Sequence, residues 1–315
     1  MHNVATYFHG NRDFVKNGDY FQPVRFLREE RAYYSSVKEM FTPRSWCCAG
    51  ITLQFYTEEK EVSFSCKIEN FIRKQDSISV YEDDVFSQSY FYTKEAPLTH
   101  FRYQRKGNGK GKIVIYFPSL SSLAIKDFSF EHKTPVPPHC KTLLCYGDSI
   151  TQGIEPQNAS ASYTNQIARS LDYEVINLAV GGHYFDVNSL MNRITDNPDT
   201  ILVAYGTNDF SHKRIEEIEE QIHLYFSKIK ALYPQSTVYC LSPLWRFDIE
   251  PEKMDKMQRI RKAIAFEAQQ NALNYVDGFE LLPHEESLYT DRTLHPNDAG
   301  FTVMADKLIA IMSDK

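Results

Sequence analysis

The sequence lacks the features that mark nucleic-acid-binding and membrane-spanning proteins. Its formal net charge at pH 7 is −6, so no overall positive field attracts nucleic acid or anionic lipid. No run approaches the roughly 18 consecutive apolar residues that a membrane-spanning helix needs. The first residues also lack a basic segment followed by an apolar one, so we expect no secretory signal. These absences predict a cytoplasmic protein with neither nucleic-acid nor membrane partners.

Metal-binding patterns are also absent from the sequence. The six cysteines form no CxxC pair and have no other spacing typical of a zinc site. Most of them lie inside apolar runs, which is typical of buried, reduced thiols. The ten histidines are scattered, without an HxxxH or HExxH pair that a helix would place on one face. We therefore expect no metal and no cofactor.

The first part of the chain has the residue pattern of antiparallel β-structure. Apolar residues alternate with polar ones in ITLQFYT (51–57) and EVSFSCKI (61–68), the period of half-buried strands. Further short strand-like runs follow, several of them separated by turn residues. This pattern predicts a β-sandwich or jelly-roll domain over residues 1–135. The segment 26–41 fits either a short helix or an ordered lead-in.

The pattern of apolar and polar residues changes after the proline-rich linker KTPVPPHCK (133–141). Three prolines in four residues of this linker disfavour both a helix and a central strand. Short, nearly continuous apolar runs then alternate with helical stretches. The clearest helix is RIEEIEEQIHLYFSKIKALYP, with isoleucines along one face and Pro234 as its stop. Five such strands alternating with helices predict a doubly wound α/β domain over residues 136–315, with a five-stranded parallel sheet.

Polar residues and glycines that suit acyl transfer follow the predicted strands. Ser149 follows the first strand, a Gly-Gly pair ending in Gly182 follows the second, and Asn208 follows the third. Asp291 and His295 lie in the loop after the fifth. Because functional groups in doubly wound sheets gather beyond the carboxyl ends of the strands, we expect these residues to lie close together. A nucleophile, amide donors and an imidazole base are the requirements of acyl transfer. Taken by itself, Ser149 is better interpreted as an ordinary helix N-cap, and only the matching segments elsewhere in the chain favour a nucleophile.

Four short segments together resemble the conserved blocks of the GDSL/SGNH hydrolases. These are GDSITQG (147–153), NLAVGG (177–182), GTND (206–209) and LHPNDAG (294–300), which occur in the family's order. The resemblance implies a flavodoxin-like fold with Ser149 as nucleophile and His295 as base. It also implies an oxyanion hole formed by the backbone N–H groups of Ser149 and Gly182 and the side-chain amide of Asn208.

The sequence departs from this family at two positions. Ala179 stands where the family often has a glycine, at a position that need not donate a hydrogen bond. Arg292 stands three residues before His295, where the family commonly has an aspartate. Asp291, four residues before, is the favoured acid. The alternative is a dyad in which a backbone carbonyl of the loop orients His295, as in some two-domain carbohydrate esterases of the superfamily.

The N-terminal module, with AGITLQFYTEEKEVSF (49–64), resembles the jelly-roll-like domain that precedes the catalytic domain in a subgroup including carbohydrate deacetylases. The resemblance implies a serine esterase for short acyl groups, acetyl foremost, on a sugar or related small molecule. An acyltransferase using the same acyl-enzyme, and a non-catalytic carbohydrate-binding protein on a hydrolase scaffold, are the alternatives. The module itself could bind carbohydrate, cover a wall of the active site or stabilise the fold. His183 and Trp245 either line the substrate pocket or pack, and the sequence does not indicate the oligomeric state.

Overall fold

The structure is a computed structural model that describes residues 4–191 and 197–313. Its chain forms two compact units. The first runs to Cys140 and also contains Gln157–Ala161 and Glu174–Ile176, and the second contains Lys141–Pro156, Ser162–Tyr173 and the chain from Asn177 onward. The division at Cys140 falls inside the proline-rich linker, slightly after the boundary predicted at residue 135.

The first unit is built from two antiparallel sheets. One sheet has the strand order β1 (Phe8–His9), β4 (Thr52–Thr57), β9 (Gly111–Tyr116), β6 (Gln75–Glu82), β7 (Val85–Thr93), with β11 (Lys133–Pro135) also paired to β4. The other has the order β2 (Asp13–Asn17), β3 (Tyr20–Val24), β10 (Ser122–Lys126), β5 (Glu61–Glu69), β8 (His100–Gln104). The predicted antiparallel β-domain is confirmed.

Alternating burial explains why these residues form strands around a common core. Along β5 every second residue is buried, namely Val62, Phe64, Cys66 and Ile68. The Phe64 ring stacks on Phe101 of the neighbouring strand β8, with ring centroids 4.6 Å apart. Removing such a side chain from water stabilises the fold by roughly 1.5–3 kcal/mol. The segment 26–41, which the sequence left open, contains helix α1 (Arg28–Val37), and helix α2 (Phe41–Trp46) begins at its last residue.

The second unit is a doubly wound α/β fold, as predicted. Its five-stranded parallel sheet has the order β13 (Tyr173–Asn177), β12 (Lys141–Gly147), β14 (Thr200–Ala204), β15 (Thr237–Leu241), β16 (Asn274–Val276). In chain order this is 2-1-3-4-5, the flavodoxin-like arrangement, whose switch point lies between the first and third strands. The helices of this unit are α3 (Ser149–Gln152), α4 (Tyr163–Leu171), α5 (Thr207–His212), α6 (Ile215–Leu232), α7 (Met254–Gln270), α8 (Gly278–Leu281) and α9 (Asp298–Ser313).

Helix α6 illustrates how the sequence determines an element of this unit. Ile218, Ile222, Phe226 and Ile229 are all 0% exposed and lie along one face. The helix begins where the Glu217 carboxylate accepts the backbone N–H of Arg214 at 3.2 Å, and it ends just before Pro234. Short 3-10 helices occur at Val4–Tyr7, Ala159–Ala161, Val187–Ser189, Pro251–Lys253 and Glu286–Leu288. Within residues 4–191 and 197–313, no helix combines the length and apolar character needed to cross a bilayer.

Candidate active site

Ser149 is the first residue of helix α3, directly after the tight turn that follows strand β12. Asp148 caps the helix by accepting the N–H of Ile150 at 3.0 Å, so the N-cap is Asp148 and not Ser149. The turn requires glycine at position 147, because a Cβ there would lie 2.3 Å from Oγ1 of Thr151. Ser149 is 8% exposed at the start of the first helical turn, where backbone N–H groups are free to bind a developing anion.

Ser149, His295 and Asp291 form a continuous chain of hydrogen bonds. The Oγ of Ser149 lies 3.0 Å from Nε2 of His295, and Nδ1 of His295 lies 2.7 Å from Oδ2 of Asp291. In a neutral imidazole, Nδ1–H donates to the carboxylate and Nε2 accepts from the serine hydroxyl. This tautomer leaves Nε2 ready to take the proton of the hydroxyl.

The loop around Asp291 holds its carboxylate firmly. Oδ1 accepts the backbone N–H groups of Thr293, Leu294 and His295 at 2.9, 2.8 and 3.1 Å. Partial burial raises the pKa of Asp291, but the hydrogen bonds from the His295 ring and from these backbone groups outweigh it. The pKa therefore lies well below its ordinary value, and the acid is ionised at neutral pH.

The conformation of Arg292 explains how the Asp291 carboxylate reaches the His295 ring from a position one residue earlier than in the family pattern. Arg292 has a φ of +57°, in the left-handed region, so the chain turns sharply directly after Asp291. The N–H of Thr290 donates to the carbonyl of His295 at 2.8 Å and closes the loop. The group that contacts Nδ1 of His295 is the Asp291 carboxylate, whereas the alternative from the sequence was a backbone carbonyl.

The three predicted oxyanion donors follow the first three strands of the sheet. Gly182 has a φ of +79°, which favours glycine. The preceding N–H, of Gly181, donates to Oε1 of Gln152 at 2.7 Å, so the side chain of Gln152 holds this turn. The backbone N–H groups of Ser149 and Gly182 donate no hydrogen bond to another atom of the described chain. Sequence reasoning did not single out Gln152, although it stands inside GDSITQG.

The side-chain amide of Asn208 is oriented by two acceptors. Its Nδ2 donates to the carbonyl of His183 at 2.9 Å and, more weakly, to Oδ2 of Asp148 at 3.4 Å. Burial raises the pKa of Asp148 to about 7. Burial also raises the pKa of Asp209, the next residue along, to about 6. Both oxygens of Asp209 accept the N–H of Phe185 at 3.2 Å, which connects helix α5 to the loop after Gly182.

The two residues predicted near the substrate have different environments. The His183 side chain is fully buried between Tyr184 and Tyr205, so the ring lies in the interior and not in an open pocket. The contribution of His183 near the site is its backbone carbonyl. Trp245 is partly exposed and stacks on His284, with ring centroids 4.2 Å apart. The Trp245 carbonyl accepts the hydroxyl of Tyr289 at 3.2 Å, next to the loop that carries Asp291.

A doubly wound sheet with a Ser–His–Asp hydrogen-bond chain beyond its strand ends is the arrangement found in serine-dependent acyl hydrolases. Residues 145–303 match the model of the GDSL-like lipase/acylhydrolase family. The chain belongs to this family, and it is a serine ester hydrolase by class.

Solved structures share the whole two-domain fold at low sequence identity. The salicylyl-acyltransferase SsfX3 from a tetracycline biosynthetic pathway is 14% identical, with a TM-score of 0.77 over 98% of this chain and 94% of that one. A family two carbohydrate esterase from Clostridium thermocellum, in complex with cellohexaose, is 16% identical, with a TM-score of 0.66 over 98% of both chains. The enzyme of the same family from Cellvibrio japonicus is 15% identical, with a TM-score of 0.66 over 99% of this chain and 96% of that one. No sequence among the curated proteins is significantly similar.

Proposed function

We propose that this protein hydrolyses short acyl esters, acetyl esters foremost, on a carbohydrate or a related small molecule. The observation that carries the proposal is the hydrogen-bond chain from Ser149 through His295 to Asp291, with contacts of 3.0 and 2.7 Å. Membership of an acylhydrolase family supports the reaction class. The carbohydrate esterases of the same fold, one of them bound to cellohexaose, support the sugar.

The first half of the reaction transfers the acyl group to the serine. Nε2 of His295 takes the proton of Ser149 as Oγ attacks the ester carbonyl carbon, and Nδ1–H remains bonded to Asp291. The tetrahedral intermediate places its negative charge on the former carbonyl oxygen. That intermediate then collapses, the C–O bond to the alcohol breaks, and His295 returns the proton to the leaving alcohol oxygen.

Three neutral donors stabilise the developing oxyanion in this proposal. The N–H groups of Ser149 and Gly182 have no other acceptor among the described residues. The amide of Asn208 has one short bond, to His183, and one long bond, to Asp148, and the second can give way to the oxyanion. Removing one such donor typically costs roughly 3–4 kcal/mol of transition-state stabilisation.

In the second half of the reaction, water attacks the carbonyl carbon of the acyl-enzyme while His295 takes a proton from the water. The C–O bond to Ser149 then breaks, which releases the carboxylic acid and regenerates the serine hydroxyl.

An acyltransferase is the second candidate, because the acyl-enzyme can pass its acyl group to an alcohol as well as to water. The similarity of this fold to that of a salicylyl-acyltransferase supports acyl transfer as the second candidate function. Incubation with an acetylated xylo-oligosaccharide and a polyol acceptor distinguishes the two. Hydrolysis yields free acetate in proportion to the alcohol released, whereas transfer yields the acetylated polyol and less free acetate.

The nucleophile is tested by the Ser149→Ala variant with p-nitrophenyl acetate. We expect the turnover number to fall by at least about 10⁴-fold, since the proposed acyl-enzyme forms on the Ser149 hydroxyl. The thermal unfolding midpoint should stay within about two degrees, because the change removes a single oxygen atom. Ser211→Ala, at an exposed serine of helix α5, is the matched control and should keep full activity. Retained turnover in Ser149→Ala would contradict the mechanism.

The wild-type protein provides the test against a non-catalytic binding protein. A serine esterase should release p-nitrophenol from an activated acetyl ester with at least one equivalent per chain. Absence of any release would support the binding-protein alternative. A parallel series of acetyl, butyryl and octanoyl esters tests the preference for short acyl groups, and we expect acetyl to be turned over fastest.

A reducing compartment is part of the same proposal. All six cysteines are free thiols and five of them are buried. Disulfides are rare where thiols are kept reduced, so this pattern supports action in the cytoplasm.

A further inference from the structure

Three side chains in the first unit bring metal-ligating atoms together, although none of them takes part in the proposed ester chemistry. They are His9 in strand β1, His139 in the linker, and Glu174 in the segment that groups with this unit. One ring nitrogen or carboxylate oxygen from each residue lies within 4.8 Å of those of the other two. His9 and Glu174 are 165 positions apart in sequence, so the cluster is a product of folding.

His9 has the environment of a metal-ligating histidine. Its Nδ1 lies 2.7 Å from Oε2 of Glu174, whose other oxygen accepts the N–H of Gly10 at 2.6 Å. The residue is only 6% exposed, and its Nε2 is buried with no hydrogen-bond partner in the part of the chain that the structure describes. Nδ1 is the ring nitrogen that faces the carboxylate, and Nε2 points away from it, so His9 and Glu174 can share an ion only through Nδ1.

His139 supplies a second imidazole at the same place. Its ring lies edge-on to the His9 ring, with centroids 5.7 Å apart and an interplanar angle of 73°. His139 is partly exposed, which gives the cluster an opening toward solvent through which an ion can enter. The prolines before it restrict the backbone of this segment and reduce the entropy lost when the ring is held in place.

We propose that His9, His139 and Glu174 bind one zinc ion, or a divalent metal ion of similar character. Two imidazoles and a carboxylate are a ligand set that Zn²⁺ takes, with bonds of about 2.0–2.2 Å, and they leave a fourth position for water. Ca²⁺ and Mg²⁺ prefer sites made of oxygen atoms alone, so the two imidazoles select against them. The sequence pointed to no metal because these ligands have no local spacing.

The proposed ion stabilises the fold and takes no part in ester hydrolysis. It joins three segments that lie far apart in the chain, and the three ligands come together only in the folded protein. An ion that binds the native but not the unfolded chain raises stability with its concentration. Zinc binding should therefore raise the thermal unfolding midpoint, and the Ser149→Ala variant should show the same rise.

The test is a calorimetric titration of the full-length, chelator-treated protein with ZnCl₂. We expect one site per chain with a micromolar or lower dissociation constant, and a rise of about 5 °C in the unfolding midpoint at saturation. His139→Ala removes a partly exposed ligand and should weaken binding by at least about 100-fold. Glu174→Gln keeps the shape of its side chain and should weaken binding by more than about tenfold.

His223→Ala is the matched control. His223 also pairs with a carboxylate, Glu267, at 3.0 Å, but this exposed pair belongs to no three-ligand group among the described residues. Its loss should leave the strong site unchanged. The proposal is overturned if the wild-type protein shows no site tighter than about 100 μM, or if His139→Ala binds zinc as the wild-type protein does. Zinc-edge X-ray absorption of the loaded protein should show nitrogen and oxygen neighbours only, and a sulfur neighbour would also overturn it.

Discussion

Asp291 accepts more hydrogen bonds than orientation of a histidine requires. One carboxylate oxygen takes three consecutive backbone N–H groups, while the other faces the His295 ring. The backbone bonds keep the carboxylate ionised and fixed, so the ring needs no reorganisation when it becomes an imidazolium. The same residue thus holds the loop together and contacts the His295 ring.

Asp291→Asn separates these two roles. An asparagine oxygen can still accept the backbone N–H groups, but the side chain no longer carries a charge to stabilise the imidazolium. We expect the turnover number for p-nitrophenyl acetate to fall by about 10²–10⁴-fold, with a small change in KM. Asp306→Asn, at an exposed aspartate of helix α9, is the control. A loss below about tenfold would show that a dyad of Ser149 and His295 suffices.

At the scale of the element, the loop from Tyr289 to Pro296 depends on the backbone of Arg292. Tyr289 and Pro296 form an isolated antiparallel bridge at its base, and the left-handed residue lies between them. A non-glycine residue in that region is strained, most severely when its side chain is branched at Cβ. The arginine side chain is exposed, so we infer that the loop depends on the backbone conformation at this position and not on the guanidinium group.

A pair of substitutions tests this reading of the loop. Arg292→Gly should retain activity within about twofold and leave stability unchanged or slightly higher, because glycine adopts the left-handed region without strain. Arg292→Val should reduce the turnover number by about tenfold or more, since the branched side chain forces the turn open and displaces Asp291. The measurements are kcat and the thermal unfolding midpoint of both variants. Equal kcat values for Arg292→Gly and Arg292→Val would contradict the inference that the backbone conformation of residue 292 positions Asp291.

Local patterns predicted the elements best where one physical requirement dominates. The alternation in β5 and the isoleucine face of α6 both follow from burying one side of an element, and the structure shows that burial. For His183 the sequence left two places open, the substrate pocket or the packed interior. Its ring follows a strand end, but two tyrosine rings enclose it, and such enclosure depends on residues distant in sequence.

At the scale of the whole molecule, buried carboxylates make stability depend on pH. Burial raises the pKa of Asp76 and of Asp148 to about 7, and that of Asp209 to about 6. An aspartate in the unfolded chain titrates near 3.9. The folded protein therefore binds more protons between these values, and stability present near pH 4 is lost progressively as the pH rises to about 7. The lowered pKa of Asp291 has the opposite effect, because its contribution to stability is lost as the pH falls below about 4.

Asp76→Asn tests this dependence away from the proposed catalytic residues. Its carboxylate accepts the N–H groups of Ser77 and Leu120 and the hydroxyl of Ser121, each at 2.8 Å. The variant should lose less stability than the wild-type protein between pH 5 and 7, by up to roughly 1 kcal/mol per pH unit. Urea unfolding at several pH values measures this slope independently of the starting stability. Asp19→Asn, at an exposed aspartate, should keep the wild-type slope, and an unchanged slope in Asp76→Asn would contradict the assignment.

The candidate active site and the proposed metal site differ in how far the sequence could predict them. Ser149, Gly182, Asn208 and His295 were predicted as site residues because each follows a strand or lies in a recognisable block, and parallel strands bring their ends to one edge. Asp291 was predicted as the favoured acid, but its contact with the His295 ring depends on the left-handed backbone angle of Arg292. His9, His139 and Glu174 belong to no local pattern, so only the folded chain reveals their proximity.

The different burial of the cysteines allows one of them to be labelled selectively. Burial raises the pKa values of Cys48 and Cys66 to about 12 and those of Cys47, Cys145 and Cys240 further still, so these five are unreactive near neutral pH. Cys140 is exposed, directly after His139. A maleimide fluorophore should therefore attach at this one position without engineered cysteines. Quenching of its emission by Co²⁺ or Cu²⁺ would then provide an optical titration of the neighbouring histidine.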